Sequence, residues 1–250
     1  LICVGYTGMQ VHINRHTTPL NNHNRYQAAE EGNMSGVNLE IQSLKVESIG
    51  LDGSVMLSSV ISEVEELGFT SVTFDAKRSD GSIGYTSNLA SVDTFNAVSA
   101  PATDLKGSVD RLLENDILPV ARICCYRDNV VPSVTTDATI MTETGVYTDE
   151  DGNTYLNPNS TTTYNYLKDI ITECYDSGIT VFVLYGCDLP EEISDSYNDG
   201  FQALASKLNV DLENNVRLYE AVDIEINEAN QEDYQSTEEV SDYDKENEES

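Results

Sequence analysis

The sequence predicts an α/β fold in which parallel strands alternate with helices. The prediction rests on one join that occurs three times: an amphipathic helix, a Gly or Asp stop, and then a β-rich run. The three joins read VEELGFTSVTFD, LLENDILPVARI and ECYDSGITVFVLY. Because strands that alternate with helices pair in parallel through right-handed crossovers, the chain is expected to form a parallel sheet covered by helices.

Each predicted helix has apolar residues at helical spacing and a residue typical of a helix end. The first helix covers residues 54–67, and Gly68 is expected to end it. Asp104 is predicted to cap the second helix, and Ser160 or Thr161 to begin the third. The spacing of four apolar residues predicts a fourth helix, and these are Tyr197, Phe201, Leu204 and Leu208.

Five strands are expected between these helices. They are predicted at residues 44–49, 69–74, 118–124, 179–185 and 216–222. The segments that lead from helix to strand are short, whereas the segments 75–103 and 125–160, which follow strands, are long. Because ligands of parallel α/β folds bind beyond the carboxyl ends of the strands, the long loops predict the functional face there.

Composition divides the chain into three parts. Residues 1–36 hold all three histidines without sustained periodicity and are interpreted as a flexible arm. Residues 37–226 are interpreted as one α/β domain, and residues 227–250, with ten acids and one lysine, as a disordered acidic tail. The initial residues LICV are interpreted as the end of a signal or membrane-anchor segment, which predicts an extracellular or cell-surface protein.

Charge and cysteine content exclude several classes of protein. A formal net charge of −31 excludes nucleic acid and anionic membrane surfaces as partners, because both require a positively charged surface. The five cysteines are odd in number, and Cys124 and Cys125 are adjacent in an apolar run. This pattern favours buried free thiols over a disulfide framework.

No sequence motif predicts a cofactor or a metal. The chain has no Gly-rich nucleotide-binding loop and no G-x-S-x-G elbow. His12 and His16 have a spacing that binds metal on a helix, but their proline- and asparagine-rich surroundings argue against a helix. The acids near Asp149 depart from the calcium loop because Tyr147 occupies its first position, and a hairpin turn explains them better.

Four stretches carry a resemblance to a known family. FDAKRSDGSIGYTS has an Asp, a Lys and a D-G-x-I-x-Y turn, and PVARICCYRD has Ala-Arg before an aromatic, a basic residue and Asp. DEDGNTYLNPNS and GITVFVLYGCDLP follow in order. Together, over residues 44–208, they resemble the DUF4015 type of glycoside hydrolase with a TIM-barrel-like domain.

The resemblance implies a partial or incomplete TIM barrel. An eight-stranded barrel typically takes about 250 residues, whereas residues 37–226 offer only the five predicted strands. Three forms remain open: an open sheet, a barrel closed by irregular segments, and a unit completed by self-association.

The resemblance also implies hydrolysis of a polysaccharide by two carboxyl groups. Asp75, at the end of a predicted strand, is one candidate. Tyr185 stands where the family carries its strand-four Asp, so Asp188 or Glu220 would have to supply the second carboxyl group. Alternatively, Asp75 caps a turn, pairs with the nearby Lys77 or Arg78, or forms an ion pair with Arg122 on the adjacent strand.

Six further residues are predicted to bind a carbohydrate through charged groups or tyrosine rings. They are Lys77, Arg122, Tyr126, Asp128, Tyr155 and Tyr185. Two functions remain open: a glycoside hydrolase that acts on extracellular or cell-surface polysaccharide, and a catalytically inactive carbohydrate-binding or surface interaction module on the same scaffold. The presence or absence of a carboxyl pair across one cleft distinguishes them.

Overall fold

The computed structural model describes residues 23–28, 39–46, 55–98 and 104–221. The strands are β1 (His23–Ala28), β2 (Leu39–Val46), β3 (Ser71–Lys77), β4 (Leu118–Cys124), β5 (Met141–Thr142), β6 (Gly145–Val146), β7 (Val181–Tyr185) and β8 (Arg217–Ala221). The helices are α1 (Val55–Leu67), α2 (Ala90–Phe95), α3 (Leu105–Glu114), α4 (Val131–Val134), α5 (Thr161–Asp176), α6 (Glu191–Ser194) and α7 (Phe201–Asp211). Within these ranges, no helix combines the length and apolar character that crossing a membrane requires.

The predicted helix ends are confirmed at atomic detail. The Asp104 carboxylate accepts a hydrogen bond from the Gly107 backbone N–H at 3.0 Å and caps α3. The Ser160 hydroxyl accepts one from the Thr162 backbone N–H at 3.1 Å and caps α5. Gly68, with φ of +66°, follows the end of α1 in the left-handed conformation that glycine adopts readily.

Six strands form a closed barrel in the order β1-β2-β3-β4-β7-β8. The pairs β2–β3, β3–β4, β4–β7 and β7–β8 are parallel, which confirms the predicted class. β1 closes the ring because it pairs antiparallel with both β2 and β8. The two long loops after β3 and β4 contain the short elements α2, α4, β5 and β6.

The closing strand lies in a segment for which the sequence predicted no regular structure. β1 reads HNRYQA and falls within residues 1–36, the predicted flexible arm. Its residues are mostly polar, so the alternation that identifies a half-buried strand is missing. The other residues of the predicted arm and the predicted acidic tail at 227–250 lie outside the described residues.

Alternate side chains of the strands face the inside of the barrel and the helices outside it. The apolar cluster inside the barrel is small and consists of Val120, Val181, Val183 and Tyr219. The larger core lies between the outer faces of the strands and the helices. Most of the apolar burial therefore joins strands to helices, and the inside of the barrel has room for polar side chains.

A fully buried ion pair connects β3 to the loop after β4. Lys77 Nζ lies 2.9 Å from Asp128 Oδ2, and neither side chain is exposed to solvent. The other carboxylate oxygen of Asp128 accepts hydrogen bonds from the backbone N–H groups of Val130 and Val131, at the start of α4. Burial alone would lower the pKa of Lys77, but the attraction to Asp128, Cys124 and Tyr166 and the hydrogen bond to Asp128 together outweigh it, so the pKa is raised and the ammonium stays charged.

A glycine turn packs directly against this pair. A Cβ on Gly81 would lie 2.2 Å from Asp128 Oδ1, and Gly81 has φ of +93°. A Cβ on Gly84 would lie 2.3 Å from the carbonyl oxygen of Asp75. Only glycine allows the chain to approach this closely, which explains physically the D-G-x-I-x-Y turn in the sequence. Ile83 and Tyr85 of the same turn are buried in the core.

We expect Lys77→Met to destabilise the protein by about 3 to 5 kcal/mol, because the substitution leaves the Asp128 charge buried without its partner. The double variant Lys77→Met, Asp128→Asn removes both charges and keeps the oxygen that caps α4, so it should recover much of this loss. Urea unfolding of the two variants beside the wild type measures both effects.

Wild-type stability of Lys77→Met would contradict this account of the pair. Since the pKa of Lys77 is raised by folding, the stabilisation should be complete below the unfolded-state pKa of about 10.4 and should fall only as the pH rises above it.

Candidate functional site at the barrel mouth

Four side chains on adjacent strands meet inside the barrel, at the carboxyl ends of the parallel strands. They are Lys45 on β2, Asp75 on β3, Arg122 on β4 and Tyr185 on β7, and we call them the mouth cluster. The strand register pairs Asp75 directly with Arg122. The structure thus brings Asp75, Arg122 and Tyr185 together at one end of neighbouring strands.

An ion pair forms the centre of the mouth cluster. Arg122 Nη1 lies 3.1 Å from Asp75 Oδ1, and Lys45 Nζ lies 3.7 Å from Asp75 Oδ2. The side chains of Asp75 and Arg122 are 14% and 18% exposed, whereas that of Lys45 is 47% exposed. The pair is thus mostly buried, but solvent still reaches both of its members.

Tyr185 covers the guanidinium from a second direction. Arg122 Cζ lies 4.4 Å from the centroid of the Tyr185 ring, within the range of a cation–π interaction. The Tyr185 hydroxyl donates a hydrogen bond to the Lys77 carbonyl oxygen at 3.5 Å. Burial, reinforced by the negative charge of Asp75, raises the pKa of Tyr185, so this hydroxyl stays protonated at neutral pH.

Three residues that were predicted to bind a carbohydrate lie in the interior. Lys77 and Asp128 are completely buried against each other, and Tyr126 is 3% exposed, so these side chains offer a ligand no accessible surface. A register shift between Asp75 and Lys77 pairs Lys77 with Ile123, which belongs to the outer core. Such a shift turns a side chain away from the row that simple alternation predicts.

Tyr155 stabilises a turn instead of facing the mouth. It is buried, and its hydroxyl donates a hydrogen bond to Asp149 Oδ2 at 2.7 Å. Asp149 also accepts hydrogen bonds from the backbone N–H groups of Asp151 and Asn153. Partial burial would raise the pKa of Asp149, but the hydrogen bonds from Tyr155 and Asn153 outweigh it and lower that pKa to about 2. The predicted turn at these residues is therefore present.

Asp188 and Glu220 lie apart from Asp75. Leu218 faces the outer core and Tyr219 the inside of the barrel, so alternation places Glu220 on the outer face of β8. Burial and the charge of Asp188 raise the pKa of Glu220, which indicates that these two acids are neighbours. Asp75, on the inner face of β3, and Glu220, on the outer face of β8, thus lie on opposite sides of the barrel wall.

Two cavities formed by described residues lie away from the mouth cluster. One of about 400 Å³ is lined by Tyr85, Thr86, Asn88, Asp104, Leu105, Lys106, Glu173 and Ser177. The Glu173 carboxylate in this cavity already accepts hydrogen bonds from the Tyr85 hydroxyl, the Ser87 hydroxyl and the Asn88 backbone N–H. In the described ranges, no three His, Cys, Asp or Glu side chains are grouped closely enough to hold a metal ion.

The comparison of this sequence with protein families shows which family the chain belongs to. Residues 46–182 match the family DUF4015, described as "Putative glycosyl hydrolase domain". The chain belongs to this glycosyl hydrolase family. The match includes β3 and β4, which carry Asp75 and Arg122, and ends at the second residue of β7; it confirms the resemblance read from the sequence. No curated protein matches the chain.

Among solved structures similar to this domain, one has a TM-score above 0.5 and shares its fold. A hypothetical protein from Ruminiclostridium thermocellum is 20% identical with a TM-score of 0.57, over 72% of this chain and 96% of that one. A maltogenic α-amylase, AmyB from Thermotoga neapolitana, is 12% identical with a TM-score of 0.49, over 70% and 43% of the two chains. The glycoside hydrolase domain of PelA from Pseudomonas aeruginosa is 14% identical with a TM-score of 0.42, over 70% and 56%. The chain thus covers less than two thirds of the last two structures.

Lys45 is the member of the mouth cluster that sequence reasoning missed. The segment SLKV alternates two polar residues, Ser43 and Lys45, with the buried residues Leu44 and Val46. This period of two indicates that Lys45 shares the inner face with Ser43, whose hydroxyl is 2.6 Å from that of Thr73 on β3. The signal was present, but only the register with β3 brings Lys45 to Asp75.

We expect Asp75→Asn to lower the free energy of unfolding by about 2 kcal/mol, between the values for exposed and for fully buried ion pairs. The physical reason is that Arg122 and Lys45 lose their shared carboxylate while the shape of the side chain is retained. Urea unfolding measures the change. Asp110→Asn, which breaks an exposed pair with Lys106 on α3, is the charge-matched control and should change stability by less than about 0.5 kcal/mol.

An Asp75→Asn variant with the unfolding midpoint of the wild type would show that the pair contributes nothing to stability. The carboxylate would then be free for a purely chemical role.

Proposed function

We propose that this glycosyl hydrolase-like domain binds a polysaccharide at the mouth cluster without cleaving it. The observation that carries the proposal is the environment of the Asp75 carboxylate: Arg122 and Lys45 form ion pairs with it, and among the described residues no second carboxylate belongs to the mouth cluster. The domain is then a carbohydrate-binding module on the scaffold of its family.

Hydrolysis of a glycosidic bond ordinarily requires two carboxyl groups. They stand about 5 to 5.5 Å apart in retaining enzymes and about 6.5 to 9.5 Å apart in inverting ones, on opposite sides of the bond. Glu220 has the raised pKa that a general acid needs, but it faces the helices with Asp188 as its neighbour. Tyr185, at the end of β7, does not replace the missing acid, because its ring packs against the Arg122 guanidinium in a cation–π contact.

The mouth cluster has the chemistry that hydroxyl-rich ligands require. A guanidinium carries five N–H donors, and the contact with Asp75 leaves others for sugar hydroxyl groups. Asp75 remains an acceptor, and the Lys45 ammonium is half exposed. Because both charged partners stay in place, a sugar can bind without separating the ion pair.

The ligand class follows from charge. With a formal net charge of −31, the protein repels polyanions, which favours a neutral polysaccharide over one rich in uronate or sulfate. We include an extracellular or cell-surface location in the proposal.

The test is a panel of insoluble polysaccharides, with protein retention and released reducing ends measured in the same tubes. We expect retention on at least one neutral polysaccharide and no reducing ends above the blank. Asp75→Asn and Arg122→Gln should each weaken retention at least tenfold, because each removes one half of the mouth pair. Asp110→Asn on α3 should bind like the wild type.

Two results would overturn the proposal. Release of reducing ends that Asp75→Asn abolishes would establish the protein as a hydrolase, which family membership makes the second candidate. Absence of retention on every polysaccharide would remove carbohydrate binding altogether.

A further inference from the structure

Two buried cysteines from different parts of the chain approach each other on the outer face of the barrel. The sulfur atoms of Cys125 and Cys187 are 3.3 Å apart, although the residues are 62 positions apart in sequence. Both side chains are buried, and both belong to the core between strands and helices. We propose that Cys125 and Cys187 are a disulfide-forming site that links the end of β4 to the segment after β7.

The backbone brings these residues together through the parallel ladder of β4 and β7. The ladder continues beyond the end of β4. The Cys125 N–H donates to the Tyr185 carbonyl oxygen at 2.8 Å, and the Tyr126 N–H donates to the Gly186 carbonyl oxygen at 3.0 Å. Gly186 has φ of +58°, so the chain turns there and does not continue as a strand. The turn lets Tyr185 face the inside of the barrel while Cys187 enters the outer core.

The other described cysteines have different neighbours. Cys124 is the last residue of β4 and directly precedes Cys125, so its side chain points to the opposite face, and its thiol donates to the Arg127 carbonyl oxygen at 3.6 Å. Cys174 lies on α5, and its thiol contacts the Tyr85 hydroxyl at 3.7 Å. The geometry therefore selects one cysteine pair and argues against a link between the adjacent Cys124 and Cys125.

The chemistry is a thiol–disulfide exchange with a small-molecule disulfide as the oxidant. One cysteine thiolate attacks the small disulfide and releases one thiol, and the second cysteine then displaces the other thiol from the mixed disulfide. The protein loses two hydrogen atoms and forms one S–S bond, while the oxidant is reduced to two thiols. No other reactant is needed.

Burial restricts when the bond can form. The hydrogen bond from its thiol to Cys125, together with burial, raises the pKa of Cys187, so little of its reactive thiolate exists in the folded protein. Oxidation should therefore occur during folding, before the core closes, and the finished bond should resist reduction in the native state. The proposal does not depend on carbohydrate binding, because both sulfur atoms face away from the mouth cluster.

Peptide mapping can identify the bond if two other cysteines are removed. Trypsin cleaves after Lys and Arg, so Cys125 falls in residues 123–127 together with Cys124, and Cys187 in residues 169–207 together with Cys174. In the double variant Cys124→Ser, Cys174→Ser, each of these peptides holds a single cysteine. A cross-linked peptide that joins them can then arise only from the proposed pair.

The full chain of this double variant is refolded in a glutathione redox buffer or in excess reductant, alkylated, and analysed by mass spectrometry. We expect the oxidised sample to contain the cross-linked peptide, to bind no alkylating reagent at the two cysteines, and to melt about 5 to 10 °C higher than the reduced sample. Wild-type protein treated in the same way should lose the same two alkylation sites, which covers the case in which the double variant folds poorly.

Cys187→Ser in the same background is the matched control, and it should give equal melting midpoints in both buffers. Full alkylation of Cys125 and Cys187 after oxidative refolding, in both the double variant and the wild type, would overturn the proposal. A cross-link from Cys125 to any other cysteine of the wild type would overturn it as well.

Discussion

The ion pair between Arg122 and Asp75 is the contact on which the mouth of the barrel depends. A guanidinium inside a barrel is costly unless a carboxylate compensates its charge, and Asp75 lies directly opposite Arg122 in the strand register. Tyr185 covers the flat face of the same guanidinium. Three of the four neighbouring strands at the mouth are thus held in register by one positive charge and the groups that compensate it.

A second ion pair, between Lys77 and Asp128, is fully buried, whereas solvent still reaches the pair between Asp75 and Arg122. Lys77 is the last residue of β3 and Asp128 follows β4, yet both side chains are buried and stabilise the loop that carries α4. The register shift after Asp75 is what divides these roles. The charged residues at the end of β3 therefore have two roles. Asp75 faces the mouth of the barrel, and Lys77 stabilises the loop after β4 through Asp128.

The sequence predicted the four longer helices, five of the barrel strands and, as one alternative, the pairing of Asp75 with Arg122, because apolar periodicity and strand order determine them. It did not predict β1, whose polar residues lack that periodicity. It also placed Lys77 with Asp75, since a register shift leaves no mark in composition. Glu220 was ambiguous for a different reason: Leu218 and Tyr219 are both apolar, so alternation alone does not tell which face of β8 is inside.

The coupling between Asp75 and Arg122 tests the central claim, that the mouth is organised by one shared ion pair. A double-mutant cycle of Asp75→Asn and Arg122→Gln, measured by urea unfolding, gives that coupling directly. We predict that the double variant is more stable than the sum of the single losses implies, with a coupling of about 1 to 3 kcal/mol. Losses that add to within about 0.5 kcal/mol would contradict the claim, because the two side chains would then contribute independently.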